Sequence, residues 1–150
     1  MDEILSVFSV EAREQLEAME AGLMQIEQGD HDPETLNAVF RAAHTIKGGA
    51  GVVEIHSVEK FTHVLENVLD RLRNGEIEVS GDMISALLAG CDHIGALLTV
   101  VLSGDLEPDE ELRLAGEAIA ADLRPFLGES AKTGVGSTEV SANADGNVER

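Results

Sequence analysis

Of the 150 residues 43% are apolar, enough for one domain with a core of its own. Against 10 basic side chains stand 29 acidic ones, a formal charge of −19 that repels phosphate backbones and anionic lipid surfaces, so neither nucleic acid nor a membrane is expected as a partner. Apolar runs such as "IGALLTVVL" fall short of the roughly 20 residues a spanning helix needs, "MDEILSVF" has no basic segment ahead of an apolar one, and Cys91 has no second cysteine to pair with; a cytoplasmic protein is expected.

Apolar residues recur at helical spacing in five segments, and none of similar length alternates as a strand would. The first runs from about Asp2 to Gln28 with a stripe of Leu5, Phe8, Ala12, Leu16, Met19, Leu23 and Ile26, and is broken by "GDHDP". Asp32 followed by Pro33 reads as an N-cap with proline at the first helical position, opening a second helix that turns Leu36, Val39, Phe40, Ala43, Ile46 and Ala50 inward. A third, capped by Ser57, buries Val58, Phe61, Leu65, Val68, Leu69 and Leu72 and stops at "RNG", where Arg73 suits the negative helix end and Gly75 the left-handed cap. Ser80 opens a fourth, with Ile84, Leu87, Leu88, Cys91, Ile94, Leu98, Val101 and Leu102 inside. "EPDEE" starts the fifth, with Leu112, Ala115, Ile119, Leu123 and Phe126 in its stripe and Pro125 limiting its length. Short loops favour antiparallel neighbours, so the expected fold is all-α: an up-down bundle of five helices over residues 1–127. Residues 128–150, rich in Gly, Ser, Thr, Ala and Asn without apolar period, read as a disordered linker or tail.

The second helix carries the stretch with chemistry, "FRAAHTIKGGAG". His44 lies at the border of its apolar stripe, and Arg41 and Lys47, three residues to either side, stand on neighbouring turns. Between Leu36 and Val53 there is no Asp or Glu, so this helix offers a local positive field in an acidic chain. Gly48, Gly49 and Gly51 cost helix stability and read as clearance for a macromolecular partner. On the third helix His63 and Glu66 share a face. If the two helices pack antiparallel, Glu66 reaches a ring nitrogen of His44; a carboxylate on Nδ1 fixes the tautomer and leaves Nε2 as a nucleophile. A lone helical histidine at a core border is most often structural, and it is the coincidence with Lys47, His63 and Glu66 that lifts His44 above that reading. His31, His56 and His93 read as structural or solvent-facing, and Cys91 as core filling, since Cys91 and His93 diverge on a helix.

Together "FRAAHTIKGGAG" and "THVLENVLDRLRNGEIEV" resemble the N-terminal histidine phosphotransfer (HPt) domain of the CheA family of chemotaxis histidine kinases, over about residues 1–127. That resemblance implies a four-helix HPt core plus a fifth helix, with His44 as phosphoacceptor, Lys47 as a phosphoryl contact, Glu66 as its hydrogen-bonding carboxylate and His63 in support. It implies a CheA-type kinase catalytic domain as phosphodonor, in cis or in trans, and a response regulator receiver domain of CheY or CheB type as acceptor. ATP and Mg would sit on the kinase domain, with no cofactor or metal held here. Two departures stand out: "VVEIHS" replaces an aromatic-containing segment after "KGGAG", and no glycine-rich nucleotide box is present. The chain therefore reads as a fragment of a longer kinase or a free-standing phosphotransfer protein, the featureless tail favouring the fragment. Two rival readings remain: a metal site of His44, His63 and Glu66, opposed by the charge of Lys47, and a structural bundle that binds a partner through its glycines.

Overall fold

The computed structural model describes residues 3–105 and 107–128, so that all of the expected tail except Gly128 lies outside the described residues. Within them the regular elements are helical: α1 (Glu3–Glu27), α2 (Pro33–Val52), α3 (His56–Arg73), α4 (Gly81–Leu102), α5 (Glu110–Leu123) and a short 3-10 turn, Arg124–Phe126, that holds Pro125. Helices α1 to α4 close a ring in which each packs on its neighbours in sequence and α4 returns to α1, while α5 lies against α3 and α4.

The starts follow local chemistry. Asp32 accepts a hydrogen bond from the Glu34 amide with Pro33 at N1, Ser80 Oγ accepts from the Met83 amide, and Asp109 accepts from the Leu112 amide. Helix α3 differs from expectation: its N-cap is Ile55, with no side-chain cap bond, rather than Ser57, and the helix begins at His56. The reason lies in how α2 ends. Glu54 sits at φ 63°, its amide donates to Gly51 O, and the Ile55 amide donates to Ala50 O at 2.9 Å. This is the double hydrogen bond of a Schellman stop, with glutamate at the left-handed position glycine usually takes. Helices α1, α3 and α4 stop in the same way on Gly29, Gly75 and Gly104. Ile55, buried behind the turn, closes the α2–α3 connection in three residues.

The core is aliphatic. The stripes expected of α1 and α3 are buried except for a half-buried Leu5, and α4 contributes Met83, Ile84, Leu87, Cys91, Ile94, Leu97, Leu98 and Val101. By length and composition alone α4 could cross a membrane, but half of its most apolar window is buried within the bundle. Two residues depart from expectation: Leu102, the last residue of α4, is 44% exposed, and Ala115 faces solvent. In α5 the inward position belongs to Gly116, because the His93 ring occupies the space a side chain would need: a Cβ there would stand 2.6 Å from His93 Nε2.

Candidate functional site

The antiparallel pairing of α2 and α3 sets a register along their seam. Glu66, only 6% exposed, projects from the buried face of α3 between two residues of α2. Its Oε2 accepts the Nδ1–H of His44, and its Oε1 lies 2.7 Å from Lys47 Nζ. Burial alone would raise the Glu66 carboxyl, but the hydrogen bonds from Lys47 and His44 and their positive charge hold it below the usual carboxylate value. An ionised carboxylate only accepts, so Nδ1 must be the donor, and the Nε2 lone pair of neutral His44 is left free. The His44 side chain is 61% exposed. The seam thus presents a basic nitrogen to solvent on a ring anchored from beneath.

Below this level the seam continues through residues whose roles the sequence did not reveal. Phe40, one turn before His44, lies nearly parallel to the imidazole, with ring centroids 6.0 Å apart and planes inclined by 16°. The guanidinium of Arg73 lies over the Phe40 ring, 3.9 Å from its centroid, and its Nε donates to Asp70 Oδ1 at 2.9 Å. The register carried the signal: once His44 faces Glu66, a step back along α2 meets a step forward along α3, and Phe40 faces Asp70 and Arg73.

Other residues expected at the site are placed less uniformly. His63 reaches solvent and feels the charges of Lys47, Glu66 and Glu59; loss of water around the ring, then Lys47, outweigh the carboxylates and lower its basicity. Arg41 points to Glu34, 3.8 Å away and exposed. With Lys47 paired to Glu66, the local positive field is weaker than its residue count implied. Of the three glycines, only Gly48 faces open space. Gly49 and Gly51 have close neighbours: a Cβ at Gly49 would touch the Phe8 ring at 3.3 Å, and one at Gly51 would meet the carboxylate at the end of the Glu59 side chain at 3.0 Å. Among the described residues no group of three or more His, Cys, Asp or Glu is arranged to hold a metal, and Lys47 and His44 already occupy both oxygens of Glu66. Cys91 is buried and its thiol pushed up to about 12 by burial, which leaves it protonated and inert.

An apolar groove also opens between the start of α1 and the end of α2, lined by Ile4, Val7, Phe8, Gly49, Val52 and Val53 with Glu3 and Glu11 at its edge.

Residues 3–99 match the Hpt domain family. The chain belongs to that family. The chain is similar to the chemotaxis protein CheA of Rhizobium meliloti (strain 1021), 41% identical over 104 residues, and to that of Treponema pallidum (strain Nichols), 40% identical over 97 residues. These stretches cover 69% and 65% of this chain but 14% and 12% of the relatives, so the chain spans a small part of their length. Among solved structures it is similar to the phosphorylated P1 domain of CheA3 in complex with CheY6 from R. sphaeroides, with TM-score 0.72 and 29% identity over 85% of this chain and 97% of that one. It is also similar to the CheA phosphotransferase domain from Thermotoga maritima, with TM-score 0.63 and 36% identity over 68% of this chain and 99% of that one.

Proposed function

We propose that this Hpt domain relays phosphate through His44 in a chemotaxis-type two-component system, in the cytoplasm. The observation that carries the proposal is the donation of Nδ1–H to Glu66, which leaves the Nε2 lone pair on an exposed edge. In the first step that lone pair attacks the γ-phosphorus of ATP held with Mg on a CheA-type kinase domain. An N–P bond forms as the bond from phosphorus to the bridging oxygen breaks, and ADP leaves with that electron pair. The phosphorylated ring is cationic and keeps its Nδ1 proton, and the Glu66 carboxylate stabilises that charge where it develops. In the second step a carboxylate oxygen of an aspartate on a receiver domain of CheY or CheB type attacks phosphorus, and the N–P electrons return to Nε2.

Lys47 supports both steps. One of its three N–H bonds is used on Glu66, and the other two are free to meet phosphoryl oxygens. His63, which exchanges charge interactions with Lys47 and Glu66, supports the same pair. The open side of Gly48 gives a partner room beside His44, and the apolar groove of Val7 and Val52 offers it a surface to cover. The solved relative in complex with CheY6 supports a receiver as that partner. The domain needs no cofactor of its own in this scheme.

The test is incubation with ATP, Mg and a chemotaxis-type kinase core, followed by mapping of acid-labile, alkali-stable phosphate. Label on the peptide containing His44 is expected, and an unlabelled chain would overturn the proposal.

A further inference from the structure

One hydrogen bond at Nδ1 fixes an atom, not a plane. A ring as exposed as His44 can still swing about that bond, and transfer needs Nε2 aligned with phosphorus. Phe40 is the neighbour that limits this swing: it sits on the preceding turn, nearly parallel to the imidazole, at a separation within the range of interacting aromatic pairs. Phe40 is itself half-buried, and its ring is covered by the Arg73 guanidinium, which Asp70 orients. Resting on the phosphoacceptor reading above, we infer that Phe40 is a positioning residue for His44 and that Arg73 acts through Phe40, holding the ring against the imidazole.

This arrangement differs from a simple cation near the reaction. An Arg73 that attracted phosphate by charge would act whether or not Phe40 were present, and lysine would replace it. As a planar cover on Phe40 it should lose its effect once that ring is gone.

A double-mutant cycle with phosphoramidate as the phosphodonor decides between them, because a small donor removes any contribution from protein docking. In phosphoramidate labelling the Nε2–P bond forms as the P–N bond of the donor breaks and ammonia leaves. The Phe40→Leu variant should accept phosphate about two- to tenfold more slowly, the span that the interaction of an aromatic pair corresponds to. Phe40→Tyr should restore the rate to within about twofold, since the stacking face is kept. Arg73→Gln should slow the native chain and have no further effect in the Phe40→Leu background. Ring nitrogen NMR should still show a single Nδ1–H tautomer in Phe40→Leu, because Glu66 keeps its hydrogen bond, so that the lost rate reports the orientation of the ring and not its tautomer.

A native rate in Phe40→Leu would overturn the positioning role alone. An equal Arg73→Gln effect in both backgrounds, or full rescue by Arg73→Lys, would overturn its action through Phe40. A native chain that takes up no phosphate from this donor would overturn the phosphoacceptor reading itself.

Discussion

Lys47 Nζ lies 2.7 Å from the carboxylate oxygen of Glu66 that His44 does not use, so one buried side chain on α3 ties together two functional groups on α2. Each of the three depends on the others: without the two donors Glu66 would be a buried charge with no partner, and without Glu66 the imidazole would lose its orientation.

Replacing Glu66 with alanine or glutamine should slow phosphate acceptance by about 10- to 100-fold without abolishing it, because the nucleophile remains. Initial rates with a kinase core measure this, and a native rate would remove Glu66 from the mechanism. The carboxyl is held below its ordinary value of 4.5, so its contribution to stability is present above that pH and lost as pH falls through the lower, folded value. The stability gap between native and Glu66→Gln should therefore narrow below about pH 4.5, which denaturant titrations at several pH values can check.

His93, 7% exposed and packed between the Phe61 ring and Gly116, gives a second pH dependence of opposite location and the same direction. Burial holds it below the ordinary histidine value of 6.5. As pH drops through 6.5 the unfolded chain binds a proton that the folded chain refuses, so stability is kept above that value and declines beneath it. His93→Gln should flatten the fall in melting temperature between pH 7 and 5; an unchanged slope would show that His93 protonates in place.

At Gly116 alanine would gain helix propensity of about 1 kcal/mol, yet its Cβ would enter the His93 ring at 2.6 Å. Overpacking of this kind costs about 1–3 kcal/mol. Gly116→Ala should thus leave stability unchanged or lowered by up to about 2 kcal/mol, and a clear rise in melting temperature would mean that His93 moves aside freely.

Glu54 is the opposite case. A left-handed non-glycine residue costs roughly 1–2 kcal/mol, partly offset by the extra freedom glycine has when unfolded. Glu54→Gly should therefore stabilise the domain by roughly 0.5–1 kcal/mol in denaturant titration. A loss would show that the Glu54 side chain makes a contact worth more than the strain at φ 63°.

The helix stops mark where the sequence was legible and where it was not. Helix stops on Gly29, Gly75 and Gly104 follow from glycine's backbone freedom, whereas the stop at Glu54 has no local signature and moved the N-cap of α3 from the expected Ser57 to Ile55. The heart of the site was readable because His44, Lys47 and Glu66 need only helical periodicity and one antiparallel contact to meet. The packing of Gly49 and Gly51 was not, because clearance for a partner and close packing ask for the same residue, and their contacts with Phe8 and Glu59 need the fold to be seen. Arg73 suited its helix end on sequence grounds, and its second contact, with Phe40, required the register of the α2–α3 seam.

The central claim is that phosphate resides on His44 Nε2. The His44→Gln variant keeps a polar side chain of similar length on an exposed position, so its helicity by circular dichroism should match the native chain. Exposed to ATP, Mg and a kinase core, it should acquire no acid-labile phosphate while the native chain is labelled. Label of native intensity on the folded variant, at His63 or any other residue, would contradict the account.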